Sequence, residues 1–464
     1  MSKECSFEFK FFFIACFIAP ALVLLFFSCA THPDNYNDID IAVYNDNFKK
    51  GIEEIRLGQN QKKPLYPEKN SILLYLDKGL LEHYAKNYVN SSQDLQEAER
   101  LIQEAFTKSI TAGAASYIAN DNTKDYPGED YEDIYVNVIN ALNYYHDGDL
   151  EGAMVEIRKI TMTNGKLDQL TTKYEGANGS ASQYFASTLS ALGLSVPQLP
   201  DLATVSFNNS ALARYLSALF YQGQGKDDDA RIEFEQVSNA FETNPNVYYN
   251  SIPKSVASAQ NVPQEKGRLN VIGFSGLSPA KEEFSQTFPV PLFIDTLQIV
   301  QLKLPVLAPR PSAIDRIQVE VNGHGSFDLE LLEDMGAVTT ETFKARSASI
   351  VSKTFIRTLI KYATGSVASA AVSDKAGGGI GGVLASLATA LASKAVADAS
   401  EAADIRMGRY FPDKAYIGGI NLDPGTYSGT ATYYSGSRVV ARDNFKDVNV
   451  RANRLNLVET TSLR

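Results

Sequence analysis

Apolar residues recur every three or four positions from about residue 38 to 248. Segment 70–88, NSILLYLDKGLLEHYAKNY, shows this period clearly, and it predicts amphipathic helices. From about 249 the pattern changes to alternating or continuous apolar runs separated by prolines. These runs predict strands at 268–274, 296–307, 314–321, 327–332, 415–422, 426–435 and 437–444. Between them, 343–362 has a helical pattern, and an Ala/Gly/Ser-rich stretch follows to about 400.

One helical stretch has a counterpart further along the chain. Residues 141–157, ALNYYHDGDLEGAMVEI, align with 218–234, ALFYQGQGKDDDARIEF, at a fixed offset of 77. The five matching positions are Ala141, Tyr144, Gly148, Ala153 and Ile157 in the first stretch and Ala218, Tyr221, Gly225, Ala230 and Phe234 in the second. Small residues let two helices approach closely, and a turn glycine adopts a positive φ at little cost. A third, degraded unit is expected from Tyr75 through Gly79 to Ile102.

This set of residues resembles the tetratricopeptide (TPR) repeat, a helix-turn-helix unit of ~34 residues. The resemblance implies a concave face lined by the first helix of each unit, suited to an extended or helical peptide. The residues that it places there are Tyr135, Val138, Leu142, Tyr145 and His146, followed by Leu212, Tyr215, Leu219 and Gln222. The alternative is that these side chains pack against the protein's own helices, including 183–193.

The N-terminus combines an uncharged apolar run, 11–27, with a cysteine at position 29. A short apolar segment followed by small residues indicates a secretory signal. Ser28-Cys29-Ala30 resembles the end of a bacterial lipoprotein signal, which implies cleavage before Cys29 and lipidation of its thiol. Phe26 and Phe27 depart from the usual pattern, and the alternative is an uncleaved membrane anchor. Ala30 after the cysteine favours the outer membrane.

The layout as a whole is similar to a family of uncharacterised bacterial TPR-containing lipoproteins, through 126–159, 273–283 and 403–427. The expected fold class is α+β, with an N-terminal α-helical TPR-like solenoid and a β-rich, sandwich-like domain that carries an Ala/Gly-rich helical insertion. The expected divisions are a signal peptide at 1–28, a tether at 29–37, the helical domain at 38–248, β-rich parts at 249–335 and 410–464, and the insertion at 336–409.

Reaction chemistry has little support in the sequence. The net charge of −11 argues against a nucleic-acid binder, which needs a basic face. The four histidines, His32, His83, His146 and His324, lack the spacing of a zinc site, and all three cysteines lie within the first 29 residues. GGGIGG at 377–382 fits a dinucleotide fingerprint only formally, because no strand precedes it. We therefore expect no catalytic, metal or cofactor site and no small-molecule substrate.

The functional expectation is a non-enzymatic envelope lipoprotein, anchored to the membrane through Cys29, that binds another envelope protein through its repeats. The alternative is a structural subunit of an outer-membrane or secretion complex, with 365–400 contacting lipid or a pore partner. Segment 376–393 is uncharged. Its two interpretations are a membrane-inserting helix and a helix or loop against the β-rich domain.

Overall fold

In a computed structural model, residues 36–111, 124–162, 165–170, 207–293, 296–366 and 402–464 are described. The predicted signal peptide, Cys29, the tether up to residue 35, segment 376–393 and the glycine motif at 377–382 lie outside these ranges. Asp34–Arg464 form one compact unit. Within the described residues, no helix combines the length and hydropathy that crossing a bilayer requires.

The first part of the described chain is helical, as the 3.6-residue period predicts. Its helices are α1 Asn37–Tyr44, α2 Phe48–Gln59, α3 Ser71–Tyr84, α4 Tyr88–Thr111, α5 Asp130–His146, α6 Leu150–Thr161, α7 Ala211–Gly223, α8 Asp227–Thr243 and α9 Lys254–Gln260, with a 3₁₀ turn at Glu68–Asn70. Helices α1 to α8 pair in sequence order into hairpins.

The four hairpins of the described chain share one turn. Each has a single residue at positive φ: Asp46 at 56°, Lys86 at 66°, Gly148 at 86° and Gly225 at 70°. The N–H of that residue donates to the carbonyl three positions back, and the next N–H donates to the carbonyl five positions back. These are the two bonds of a Schellman motif, which satisfies the last carbonyls of a helix. The degraded unit therefore turns at Lys86, and Gly79 lies inside α3.

The second part of the described chain is built mainly from strands. They are β1 Gly267–Leu277, β2 Ala280–Phe293, β3 Thr296–Ala308, β4 Arg316–Val321, β5 Gly325–Asp328, β6 Glu330–Asp334, β7 Pro412–Leu422, β8 Gly425–Ser435, β9 Arg438–Val450 and β10 Asn456–Ser462. One long helix, α10 Met335–Ser366, falls between β6 and β7. The predicted strands are confirmed, and β2 and β10 are additional.

Three sheets are formed within the described residues. The central sheet has the order β10-β1-β7-β6, the outer sheet has the order β5-β4-β8-β9, and β2 and β3 make a two-stranded ribbon. In the central sheet β10 runs parallel to β1, while the β1–β7 and β6–β7 pairs are antiparallel. Parallel pairing of β1 with β10 joins strands nearly 190 residues apart, so local turn signals do not specify it.

The central sheet is the middle of three layers. On one face, Leu269 and Val271 of β1 share a hydrophobic core with Ile317 and Val319 of the outer sheet. On the other face, Ile272 of β1 belongs to the core formed by the helices. Successive side chains of a strand point to opposite faces, so β1 is buried along nearly its whole length. This explains why the middle of the strand, VIGF at 271–274, is apolar at consecutive positions rather than at alternating ones.

Candidate functional site

The predicted groove residues lie between the helices and the central sheet rather than on an open surface. Six of the nine are fully buried, namely Tyr135, Val138, Leu142, Leu212, Tyr215 and Leu219. The other three, Tyr145, His146 and Gln222, are partly buried. The physical reason is that the same chain covers this face. Tyr135, Tyr145 and His146 form hydrogen bonds to strands of the central sheet. Gln222 instead donates to the Ala259 carbonyl of α9 at 3.1 Å.

At one edge of the central sheet, strand β6 projects Glu333 into the helical layer. The hydroxyls of Tyr135 and Tyr248 each donate to its carboxylate at 2.6 Å. Ser210 Oγ donates at 2.9 Å, and the backbone N–H of Leu212 donates at 3.0 Å. Leu212 is in the first turn of α7, so the carboxylate also lies at the positive end of a helix dipole. Four neutral donors thus surround one buried carboxyl group, whose pKa is raised by burial against the effect of these hydrogen bonds.

At the opposite edge, strand β10 projects Glu459 toward the same layer. His83 Nε2 lies 2.6 Å from its Oε1, and His146 Nε2 lies 3.3 Å from its Oε2. The rings of Tyr88 and His146 stack with centroids 4.6 Å apart. Two residues before Glu459 on the same strand, the N–H of Leu457 donates to the Tyr145 hydroxyl at 2.9 Å. Two predicted groove residues therefore bind the sheet edge.

The hydrogen bonds around His83 determine its protonation. Ser91 Oγ donates to the Gly79 carbonyl at 2.7 Å, so its lone pairs accept from the amide nitrogen of Asn143 at 2.8 Å. The amide oxygen of Asn143 then accepts from His83 Nδ1 at 2.7 Å. The other ring nitrogen donates to the Glu459 carboxylate. A ring that donates from both nitrogens is an imidazolium.

The electrostatics of this pair agree with the hydrogen bonds. Burial by itself lowers the pKa of His83, but the Glu459 carboxylate and the hydrogen bonds outweigh it, and the pKa is raised. Burial by itself raises the pKa of Glu459, but the charge of His83 and the bonds from both histidines hold it below its ordinary value. His83 and Glu459 are therefore a buried ion pair.

A cleft of about 210 Å³ opens beside this pair, between the α3–α4 turn and strands β9 and β10. Its lining residues are Asp46, Phe48, His83, Tyr84, Lys86, Tyr88, Ala441, Arg442, Asp443, Glu459 and Thr461. Lys86 Nζ lies 3.4 Å from the Asp443 carboxylate at the rim. Because both nitrogens of His83 are engaged, the ring has no free lone pair with which to accept a proton from a ligand.

A third buried contact attaches segment 402–411, which leads into β7, to the helices. The N–H of Gly408 donates to Glu132, which also accepts from the Tyr126 hydroxyl at 2.8 Å. The N–H of Arg409 donates at 2.7 Å to Asp77. Burial raises the pKa of both Glu132 and Asp77 to about 7, against the effect of these hydrogen bonds. Two adjacent backbone N–H groups thus bind two buried carboxyls.

Sequence reasoning did not identify the carboxylates at these contacts. Glu333 and Glu459 stand in short strands, and the hydrogen-bonded partners Tyr135 and His83 lie 198 and 376 residues away. Glu132 stands at the start of α5, where it completes a capping box with Glu129, and this local role gives no sign of its contact with segment 402–411. The sequence does contain one signal that this face is covered. The nine predicted groove residues are more apolar than a solvent-facing helix surface.

Neither a search for metal-binding groups nor comparison with known proteins assigns a further role to these residues. Among the described residues, no group of three or more His, Cys, Asp or Glu side chains is arranged to hold a metal ion. Cys29, the predicted lipidation site, is outside them. Comparison of the chain with protein-family models, curated proteins and solved structures finds no match.

Proposed function

We propose that the protein is a non-enzymatic lipoprotein of the bacterial cell envelope, anchored through Cys29, most simply to the outer membrane, and that it serves as a scaffold for another envelope protein. The observation that carries the proposal is that the buried polar groups form their hydrogen bonds within the chain. The carboxylates of Glu333 and Glu459 and both nitrogens of His83 are saturated by contacts within the chain. They support a rigid body rather than a reaction site.

The repeat architecture is part of the same proposal. Four hairpins with identical Schellman turns support a TPR-like array, and Gly148 and Gly225 occupy the turn position that the resemblance implies. The array differs from an open peptide-binding solenoid because the central sheet covers its inner face. A partner protein therefore binds the outer surfaces of the hairpins or of the β-rich part, rather than the row from Tyr135 to Gln222.

The anchor is tested by comparing two cysteine variants in cells supplied with a labelled fatty acid. Cys29→Ser is expected to abolish labelling and to leave the protein unprocessed or released from membranes. Cys16→Ser is the matched control, because it changes a cysteine within the apolar run that precedes Cys29, and it should be labelled normally. Undiminished labelling of Cys29→Ser would contradict the lipoprotein assignment.

The scaffold role is tested by purification after crosslinking in intact cells. A stoichiometric complex with one other envelope protein supports the scaffold. A large ring or tube of many copies, stable in detergent, supports the second candidate, a structural subunit of a membrane or secretion assembly. The observation that favours this second candidate is the ribbon, whose strands of 14 and 13 residues pair only with each other among the described strands.

A further inference from the structure

The free edge of strand β10 is hydrogen-bonded within the chain at both of its ends. Strand β10 pairs with β1 on one side and with no strand of the described chain on the other. On this free side, the N–H of Leu457 donates to the Tyr145 hydroxyl at 2.9 Å. The N–H of Leu463, directly after the strand, donates to the Asp46 carboxylate at 3.0 Å. Helix α5 and the α1–α2 turn therefore cover the two ends of the edge.

The middle of the same edge faces the cleft instead. Successive N–H groups of a strand point alternately to its two sides, so Glu459 and Thr461 direct theirs to the free side, as Leu457 does. Both residues line the cleft of about 210 Å³. His83 engages the carboxylate of Glu459, but the backbone of 459–461 has no strand partner on this side among the described residues. Unpaired N–H and C=O groups of an edge strand are a template for a further strand.

The wall opposite β10 is held in place by charged groups. Arg464 forms an ion pair with Asp46 at 2.9 Å and donates to the Val440 carbonyl of β9 at 2.7 Å. At the rim, Lys86 Nζ of the α3–α4 turn lies 3.4 Å from the Asp443 carboxylate of β9. These contacts connect β9 to the two helical turns that border β10. The cleft is therefore preformed, which lowers the cost of ordering it when a ligand binds.

The size and the lining of the cleft indicate what it accepts. Its volume lies below the ~300–1,000 Å³ of pockets for drug-sized ligands, so it has room for a few residues of extended chain. The rings of Phe48 and Tyr88 line the helical side, and Arg442 lines the β9 side. Arg442 is exposed, and no carboxylate in the described part of the chain forms an ion pair with it. This lining favours a peptide with an apolar residue near an acidic one.

We propose that the edge of β10 binds an extended segment of a partner protein by strand addition, through main-chain hydrogen bonds to Glu459 and Thr461. The inference rests on the proposed scaffold role and names the surface that the partner contacts. Because Tyr145 and Asp46 close the edge at both ends, only a short segment fits. This closure also prevents open-ended strand pairing between copies of the chain.

Strand addition is tested with random hexapeptides displayed on phage and selected against the full-length protein in detergent. One enriched peptide is synthesised without modification and with N-methyl groups at either set of alternate residues. Only alternate N–H groups of an added strand face β10. One methylated set should therefore weaken binding by about tenfold or more, and the other should bind as the unmodified peptide does. Fluorescence polarisation measures all three affinities.

Three variants of the protein locate the binding edge. Thr461→Pro removes one N–H from the free side and leaves the ladder with β1 intact, because an edge strand tolerates proline there. It should weaken peptide binding about tenfold. Thr461→Val is the matched control, since it loses the hydroxyl and keeps the N–H, and it should bind normally. Ala441→Trp fills the cleft from β9 and should abolish binding, which provides a second test if urea denaturation shows that Thr461→Pro does not fold.

The outcomes separate this inference from the scaffold role. Failure to enrich any peptide, equal effects of the two methylated sets, or normal binding by Ala441→Trp would each overturn strand addition. In crosslinked cells, capture of the partner should be lost in Ala441→Trp and kept in Thr461→Val. A partner captured equally by wild type and Ala441→Trp overturns the inference and leaves the scaffold role intact. Absence of any captured partner contradicts the scaffold role itself.

Discussion

Two carboxylates reach the helical layer from opposite edges of the central sheet, and they are stabilised in different ways. Glu333 on β6 is surrounded by hydroxyls and a backbone N–H, and its hydrogen-bond donors in the described part of the chain include no cation. Glu459 on β10 is paired with an imidazolium. Burial raises the pKa of Glu333, whereas the charges opposite Glu459 lower its pKa. The same task, joining a sheet edge to helices, is done by neutral donors on one side and by an ion pair on the other.

The difference has consequences for stability. The hydroxyls and the backbone N–H around Glu333 stay neutral over the ordinary pH range, so removing their acceptor costs each of them that hydrogen bond at any such pH. The Tyr248 hydroxyl alone keeps a second acceptor among the described residues, the Asn209 carbonyl at 3.3 Å. An imidazolium without its partner releases its proton, which limits the cost at neutral pH. The β6 edge therefore loses more when its carboxyl group is removed, and stability depends on pH at both edges, through the raised pKa of Glu333 at β6 and through the His83–Glu459 pair at β10.

The largest effect is expected from Glu333→Ala. It removes the acceptor of four buried donors, and each unsatisfied neutral group costs ~1–3 kcal/mol. The free energy of unfolding should fall by on the order of 4 kcal/mol, measured by urea denaturation. Glu333→Gln retains one acceptor oxygen and the side-chain shape, so it should lose clearly less. A loss below ~1 kcal/mol for the alanine variant would show that this contact does not hold the layers together.

The β10 edge is tested by Glu459→Gln, which leaves the buried His83 without a counter-charge. We expect a loss of ~3 kcal/mol near pH 5.5. The raised pKa of His83 stabilises the fold below its ordinary value of 6.5, and this contribution disappears as pH rises through the raised value. The lowered pKa of Glu459 stabilises the fold above 4.5 and ceases to do so as pH falls through the lowered value.

The difference between wild type and Glu459→Gln should therefore be greatest between about pH 4.5 and 6.5 and should shrink above that interval. With four histidines in the chain, NMR titration can follow His83 directly. Its pKa should drop in the variant. An unchanged His83 titration would refute the ion pair, and His146→Gln is the control for a weaker contact at the same carboxylate.

A third prediction concerns the attachment of segment 402–411, where no edge strand is involved. Because burial raises the pKa of Asp77 and Glu132 to about 7, their protonated forms stabilise the fold. This contribution is complete below their ordinary values near 4 and is lost as pH rises through about 7. Each group changes the unfolding free energy by up to ~1.4 kcal/mol per pH unit in that interval.

Asp77→Asn should flatten this part of the stability profile, because an amide does not titrate. Its oxygen still accepts from the N–H of Arg409, and the Tyr66 hydroxyl, which now donates to Asp77 at 2.7 Å, rotates to accept from the amide. Thermal melts at pH 5, 6, 7 and 8 measure the effect. Parallel profiles for wild type and Asp77→Asn would mean that Asp77 is ionised throughout.

Local sequence patterns are sufficient to predict most of the helices and strands. Helical periodicity predicted the helices on either side of Gly148 and Gly225, and apolar runs predicted β1, β3, β4, β7 and β8. Strand β2 was missed because Pro289 and Pro291 argue against a central strand. Both prolines lie in a two-stranded ribbon, and edge strands tolerate proline.

What the sequence did not reveal is how its two halves meet. The row from Tyr135 to Gln222 was interpreted through the helices alone, with a peptide or other helices as the candidate occupants. The occupant is a sheet whose strands come from the far end of the chain, and strand β10 with Glu459 has no local signal of its role. Pairings of this kind depend on tertiary packing, because periodicity identifies which face is apolar and not what covers it.

The smallest effects are expected from two tyrosines of that row, one at each edge. Tyr135→Phe removes one of the donors to Glu333 and should cost ~1 kcal/mol. Tyr145→Phe takes the acceptor from the N–H of Leu457 at a partly exposed position, and it should cost about half as much because water replaces the hydroxyl. Both are measured by urea denaturation alongside capture of the crosslinked partner. Since the sheet covers this row, neither substitution should change capture. Weaker capture of the partner with an unchanged free energy of unfolding would mean that these residues face a partner protein and that the central sheet does not cover them.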